Sequence, residues 1–179
     1  MTHPSGIAVT LADTGVPMLY IWEPVLVLAI LPIIAVEMVV LRRVLQGTWC
    51  RCFTASLIAN VLSTLAGVPL TWYCLVFLQM AVDGGRARGV GVYAVTVQSP
   101  WLIPYEEHLH WMVPTAALVL CIPFLFASIL CEWPIAALAF RGRPWRLVLW
   151  ATTAANLASY GLLAAFWSVE LIWNWGGAR

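Results

Sequence analysis

Four long apolar runs separated by short polar ones dominate the pattern: Met18–Leu41, Phe53–Val82, Trp111–Phe140 and Leu147–Trp173. A helix crosses the hydrocarbon core of a bilayer in about 20 residues, so each run is long enough, with room for tilt or for ends in the headgroup region. Backbone amides in lipid must find partners within their own segment, which a continuous helix provides. None of the runs has the short alternating segments of a transmembrane β-barrel. The expected fold is an all-α membrane protein with four transmembrane helices. Pro24 and Pro32 in the first run, Pro69 in the second, and Pro114, Pro123 and Pro134 in the third each remove a helix amide. Kinks are predicted near them.

The connections differ in charge. Loop 42–52 carries Arg42, Arg43 and Arg51, and loop 141–146 carries Arg141, Arg143 and Arg146, whereas Arg86, Arg88 and Arg179 fall on the other side. Positive-inside bias puts both short loops in the cytoplasm, and both termini and the loop Asp83–His110 outside. A bacterial inner membrane is the expected location. Residues 1–17 have neither the cationic start nor the apolar core of a secretory signal and read as an extracytoplasmic lead. Residues 174–179 form a C-terminal tail. In the outer loop, Asp83-Gly84-Gly85 is a turn signal and Val90–Val97 is rich in β-branched residues, which predicts a small strand or hairpin. The stretch from Ser99 to Tyr105 is expected to lie along the interface.

The halves of the chain resemble each other. Glu37, Trp49 and Ala59-Asn60-Val61-Leu62-Ser63 in the first recur as Glu132, Trp145 and Ala155-Asn156-Leu157-Ala158-Ser159 in the second. Trp-to-Asn spacing is 11 in both, and Glu-to-Asn spacing is 23 and 24. Each half, 18–82 and 111–173, reads as a helical hairpin of one design, with Glu late in the outgoing span and A-N-x-x-S early in the return span. Both hairpins start and end outside, so the relation is a parallel repeat about an axis along the membrane normal. A pseudo-two-fold four-helix bundle is the expected architecture.

Composition agrees with lipid as solvent. Of 179 residues, 63% are hydrophobic and only 9% charged, with mean hydropathy +0.90; a soluble domain carries about 25% charged residues. Eleven Trp and five Tyr suit the membrane–water interfaces. A net charge of +1 gives no electrostatic case for nucleic acid. Of the five cysteines, Cys74, Cys121 and Cys131 sit in apolar runs as small hydrophobes, and Cys50-Arg51-Cys52 alone is an incomplete metal site.

Four acids lie within the runs: Glu23, Glu37, Glu132 and Glu170. Glu23 and Glu170 fall near outer ends. Glu37 and Glu132 lie roughly 7 and 13 Å along a helix from Arg42 and Arg141, and Asn60 and Asn156 enter to similar depth, so Glu and Asn can meet across each hairpin. One reading is interhelical hydrogen bonding by Glu37, Asn60, Ser63, Glu132, Asn156 and Ser159, with Ala66, Gly67, Ala158 and Gly161 allowing close approach. The sharper reading gathers the same residues into one site for a proton or a hard cation, bound by two carboxylates and two amide oxygens. Glu106, Glu107, His108 and His110 open the third run with spacing suited to partial metal ligation or to a polar interfacial collar.

No H-E-x-x-H, G-x-S-x-G, P-loop or G-x-G-x-x-G is present, and His3 is the only histidine besides His108 and His110. No cofactor is expected, and the chain leans away from an enzyme. The leading expectation is a structural or accessory membrane subunit or a homo-oligomeric scaffold, with the bilayer and other membrane subunits or further copies as partners. The alternative is a small proton- or cation-coupled transporter or channel.

Overall fold

The computed structural model describes residues 23–83, Thr96 and residues 109–177. Among the described residues there are four helices and no strand: α1 Glu23–Leu45, α2 Trp49–Asp83, α3 Leu109–Ala139 and α4 Trp145–Gly177. Stretches of α2, α3 and α4, over Trp49–Leu78, Trp111–Ala139 and Trp145–Trp173, are long and apolar enough to cross a membrane. Their surfaces agree. Leu65, Phe77, Phe126, Leu130, Trp150 and Ile172 are all exposed, a density of bare apolar side chains that water would not tolerate.

Within the strand predicted over Val90–Val97, only Thr96 is described, and its backbone is helical. The rest of that stretch, the lead 1–17 and the segment from Ser99 to Tyr105 lie outside the described residues.

α1, α2 and α4 reach further toward the arginine-rich turns than their apolar runs do. The turns shrink to residues 46–48 and 140–144 in place of 42–52 and 141–146. Arg42 and Arg43 form the last turn of α1, where a cation suits the negative end of the helix dipole and a long stem carries the charge to water. α1, α2 and α3 continue through Pro32, Pro69, Pro114, Pro123 and Pro134, and Pro24 sits in the first turn of α1, where its missing amide costs nothing.

Both turns use a left-handed residue. Gln46 closes α1 with φ 52° and donates its amide to the Arg42 carbonyl at 2.9 Å. Gly142 adopts φ +100°, a region that favours glycine, and the Arg143 amide bonds the Phe140 carbonyl at 3.1 Å. Gly47 is glycine for a different reason: a Cβ there would stand 2.7 Å from the Phe140 ring and 3.1 Å from Cys52 Sγ.

The chain divides into two compact units. One comprises residues 25–69 and 120–166 and contains both arginine-rich turns. Its core joins Leu41 and Leu45 of α1, Cys52 and Ala55 of α2, Ala136 of α3, Phe140 of the second turn, and Val148, Ala151 and Ala155 of α4. The other comprises residues 1–24, 70–119 and 167–179. Among its described residues Leu75, Met112 and Ala116 are buried, and the Thr115 hydroxyl caps the Trp111 carbonyl at 2.7 Å.

Gly47→Ala is expected to cost about 1–3 kcal/mol of stability through overpacking against the Phe140 ring. Thermal unfolding in detergent reads this, and a smaller effect of the same substitution in a Phe140→Leu background would trace the cost to that contact.

Candidate functional site

Burial along each helix of the larger core follows one face. Glu37, Leu41 and Leu45 on α1 are buried at four-residue steps, as are Glu132, Ala136 and Phe140 from α3 into its turn. On α2 the buried positions are Cys52, Ala55, Ser56, Ala59, Asn60 and Ser63; on α4 they are Val148, Ala151, Thr152, Ala155, Asn156 and Ser159. The two sets correspond position for position. Small residues on these faces let helix backbones approach and bring short polar side chains within reach of the glutamates.

The carboxylates meet in one network. Glu37 Oε2 accepts from Ser56 Oγ at 3.0 Å and from Asn60 Nδ2, and its Oε1 accepts from Ser159 Oγ at 2.9 Å. Glu132 Oε2 accepts from Asn156 Nδ2 at 2.8 Å and its Oε1 from Ser63 Oγ at 3.0 Å. Each glutamate thus bonds the asparagine of its own half and the serine of the other. The exposures of Glu37 and Glu132 are 2% and 3%, and burial this deep makes every one of those bonds matter.

The amides are held with nitrogen toward the acids. Asn60 Nδ2 also reaches the Ser56 carbonyl at 2.9 Å, and Asn156 Nδ2 the Thr152 carbonyl at 3.1 Å. Asn156 Oδ1 is buried with no hydrogen-bond partner. The carboxylates are therefore ringed by donors, an arrangement different from a cation site built of two carboxylates and two amide oxygens.

The serines have two acceptors each. Ser63 Oγ lies 3.0 Å from Glu132 and 3.1 Å from the Asn60 carbonyl, and Ser159 Oγ lies 2.9 Å from Glu37 and 3.1 Å from the Asn156 carbonyl. A hydroxyl carries a single proton, so each serine either donates to a carboxylate or turns to its own helix and accepts from a protonated carboxyl.

A cavity of about 10 Å³ lies against Glu37, Ser56, Glu132 and Thr152. That is near the lower limit for one water.

Several polar groups escaped the sequence reading. Ser56 and Thr152 each precede the asparagine by four residues, so the shared sequence pattern extends to A-[S/T]-x-x-A-N-x-x-S. Ser128 Oγ and Tyr160 Oη pair at 2.8 Å between α3 and α4, without a counterpart in the first half to betray it. Close approach occurs at Ala55, Ala59, Ala136, Ala151 and Ala155, not where the sequence suggested. Ala66, Ala158 and Gly161 are exposed, and a Cβ built on Gly67 or Gly161 meets nothing within 4 Å.

Glu106, Glu107 and His108 lie outside the described residues, and His110 is described in its backbone alone. No group of three His, Cys, Asp or Glu side chains able to hold a metal occurs among the described residues. The side chains of Cys50 and Cys52 diverge, the first exposed and the second buried. Comparison with family models, with curated proteins and with solved structures found no match.

Ser56 and Thr152 give a paired test. The Ser56 hydroxyl bonds Glu37, whereas the Thr152 hydroxyl is buried without a partner. Ser56→Ala should lower stability in detergent by about 1 kcal/mol, while isosteric Thr152→Val should be neutral or stabilising. Equal losses in the two variants would contradict the asymmetry.

Proposed function

We propose that this chain is a four-span integral membrane subunit or scaffold whose two duplicated hairpins are clasped by the Glu37–Glu132 network. The reading rests on one observation: each buried carboxylate bonds both its own half and the other. α1, with 23 residues, is taken as the fourth span. Duplication accounts for the corresponding buried positions of α2 and α4. A pseudo-two-fold axis along the membrane normal, with the arginine-rich turns in the cytoplasm of a bacterial inner membrane, completes the arrangement. The small cavity beside the acids suits a clasp better than a solute path, and the apolar exterior suits association with lipid and with other membrane chains.

A second reading is favoured by the serines. Two negative charges in one dry cluster need a compensating positive charge, and no arginine lines the cavity beside them. Donors on every carboxylate oxygen leave a proton as the charge that fits. Rotation of Ser63 and Ser159 then lets the cluster take up and release that proton without an unmet hydrogen bond. Proton-coupled transport would build on such a site.

Glu37→Gln and Glu132→Gln separate the readings. Under the clasp each replaces an acceptor by a donor facing donors and costs about 1–3 kcal/mol, read as a lower unfolding temperature or loss of assembly. The double variant should cost less than the sum, because the residues share a network. Under proton coupling, wild-type protein in liposomes carries a proton flux that either substitution stops while the fold survives. Well-folded wild-type protein that moves no protons excludes the second reading.

A further inference from the structure

The turns that close the larger core form a second, chemically distinct feature. A cavity of about 270 Å³ is lined by Leu45, Gln46, Gly47 and Arg51 from one side and Phe140, Arg141, Gly142 and Arg143 from the other. Neither 38–59 nor 133–155 contains an acidic residue, while together they carry six arginines. No carboxylate in these segments answers the charge gathered at this opening.

The arginines are not equivalent. Arg42 donates to the Gly47 carbonyl at 2.8 Å and stacks on Trp49, and Arg146 stacks on Trp145. Arg51 is anchored through Nε to the Ala139 carbonyl at 2.6 Å and lies over the Phe140 ring. That bond fixes its guanidinium and leaves the terminal nitrogens to donate. Arg141 and Arg143 are exposed, flank the left-handed Gly142 and make no side-chain bond or ion pair with a described residue. Charge bias for membrane orientation needs cations near a span end. It does not need three of them around one concavity with one held in place by the Ala139 carbonyl at the end of α3.

The geometry points to a binding site for a phosphate ester anion, held by Arg51, Arg141 and Arg143. Guanidinium forks match phosphate oxygens in pairs, and the cavity is large enough for a phosphate and its first substituents but small for a whole drug-sized ligand. Exposed Trp49 and Trp145 at the starts of α2 and α4 suit the headgroup level of a bilayer, where phosphodiesters are abundant. The site is independent of the carboxylate clasp.

The test is native mass spectrometry of the purified full-length chain in detergent, with phosphatidylglycerol, phosphatidylcholine or inorganic phosphate added. Wild type should retain phosphatidylglycerol at least tenfold better than phosphatidylcholine. The double variant Arg141→Gln, Arg143→Gln should lose about 25-fold, at about fivefold per arginine. Arg43→Gln, which removes an exposed charge outside the cavity, should change retention less than twofold. Displacement of the lipid by millimolar phosphate identifies a soluble phosphate as ligand, and resistance to it identifies the lipid headgroup; both support the site. Thermal unfolding of each variant checks that the fold is kept. Equal retention of the two lipids without phosphate binding, or an equal loss in Arg43→Gln, overturns it.

Discussion

A carboxylate taken out of water loses several hydrogen bonds at once, and the interior must replace them or leave the charge uncompensated. Two such groups in one core make that demand the strictest in the larger unit. Glu37 is answered by three side-chain donors and Glu132 by two, drawn from α2 and α4. The donors are short: two asparagines and three serines. A short side chain reaches only if the helices come close, and this explains alanine at 55, 59, 151 and 155 beside the polar positions. Bulkier residues there would pull the donors away and strand the acids.

The same demand fixes register. Asn60 and Asn156 stand eight residues beyond Cys52 and Val148, about 12 Å along each helix, so a slip of one residue at the turns would rotate the donors away. The turns are built against slippage. Gly47 lies under the Phe140 ring with no room for a Cβ, and Arg51 ties α2 to the C-terminal carbonyl of α3 at Ala139. Packing at the turns and hydrogen bonds deeper in the core thus hold one alignment from two levels.

Legibility followed the strength of the physical signal. The helical class was plain, because continuous apolar runs admit little else in lipid, and Glu37, Asn60, Ser63, Glu132, Asn156 and Ser159 stood out as costly residues repeated at matching spacing. Helix ends were less legible. Arginine reads as loop to a hydropathy scan, although its stem lets α1 run on to Leu45 and α2 open at Trp49. Close-approach positions were also less legible, since glycine and alanine mark either a contact or a lipid-facing groove, and only the rotation of the helix decides. Crossed bonding between halves could not be read either. Spacing says that Glu and Asn lie at similar depth, but not that Ser159 faces Glu37.

The halves are alike without being interchangeable. Where Ser56 bonds Glu37, Thr152 occupies the matching step of α4 and its hydroxyl finds no partner. Tyr160 bonds Ser128 beside the second half alone; the matching step of α2 is Thr64. A clasp that served symmetry for its own sake would gain by restoring serine at 152 or by removing the hydroxyl. Retaining an unpartnered hydroxyl against the small cavity, next to both glutamates, leaves one side of the cluster with spare hydrogen-bonding capacity. Ser56 and Thr152 line the same cavity, so the two halves differ in hydrogen bonding at a matching step where both meet it.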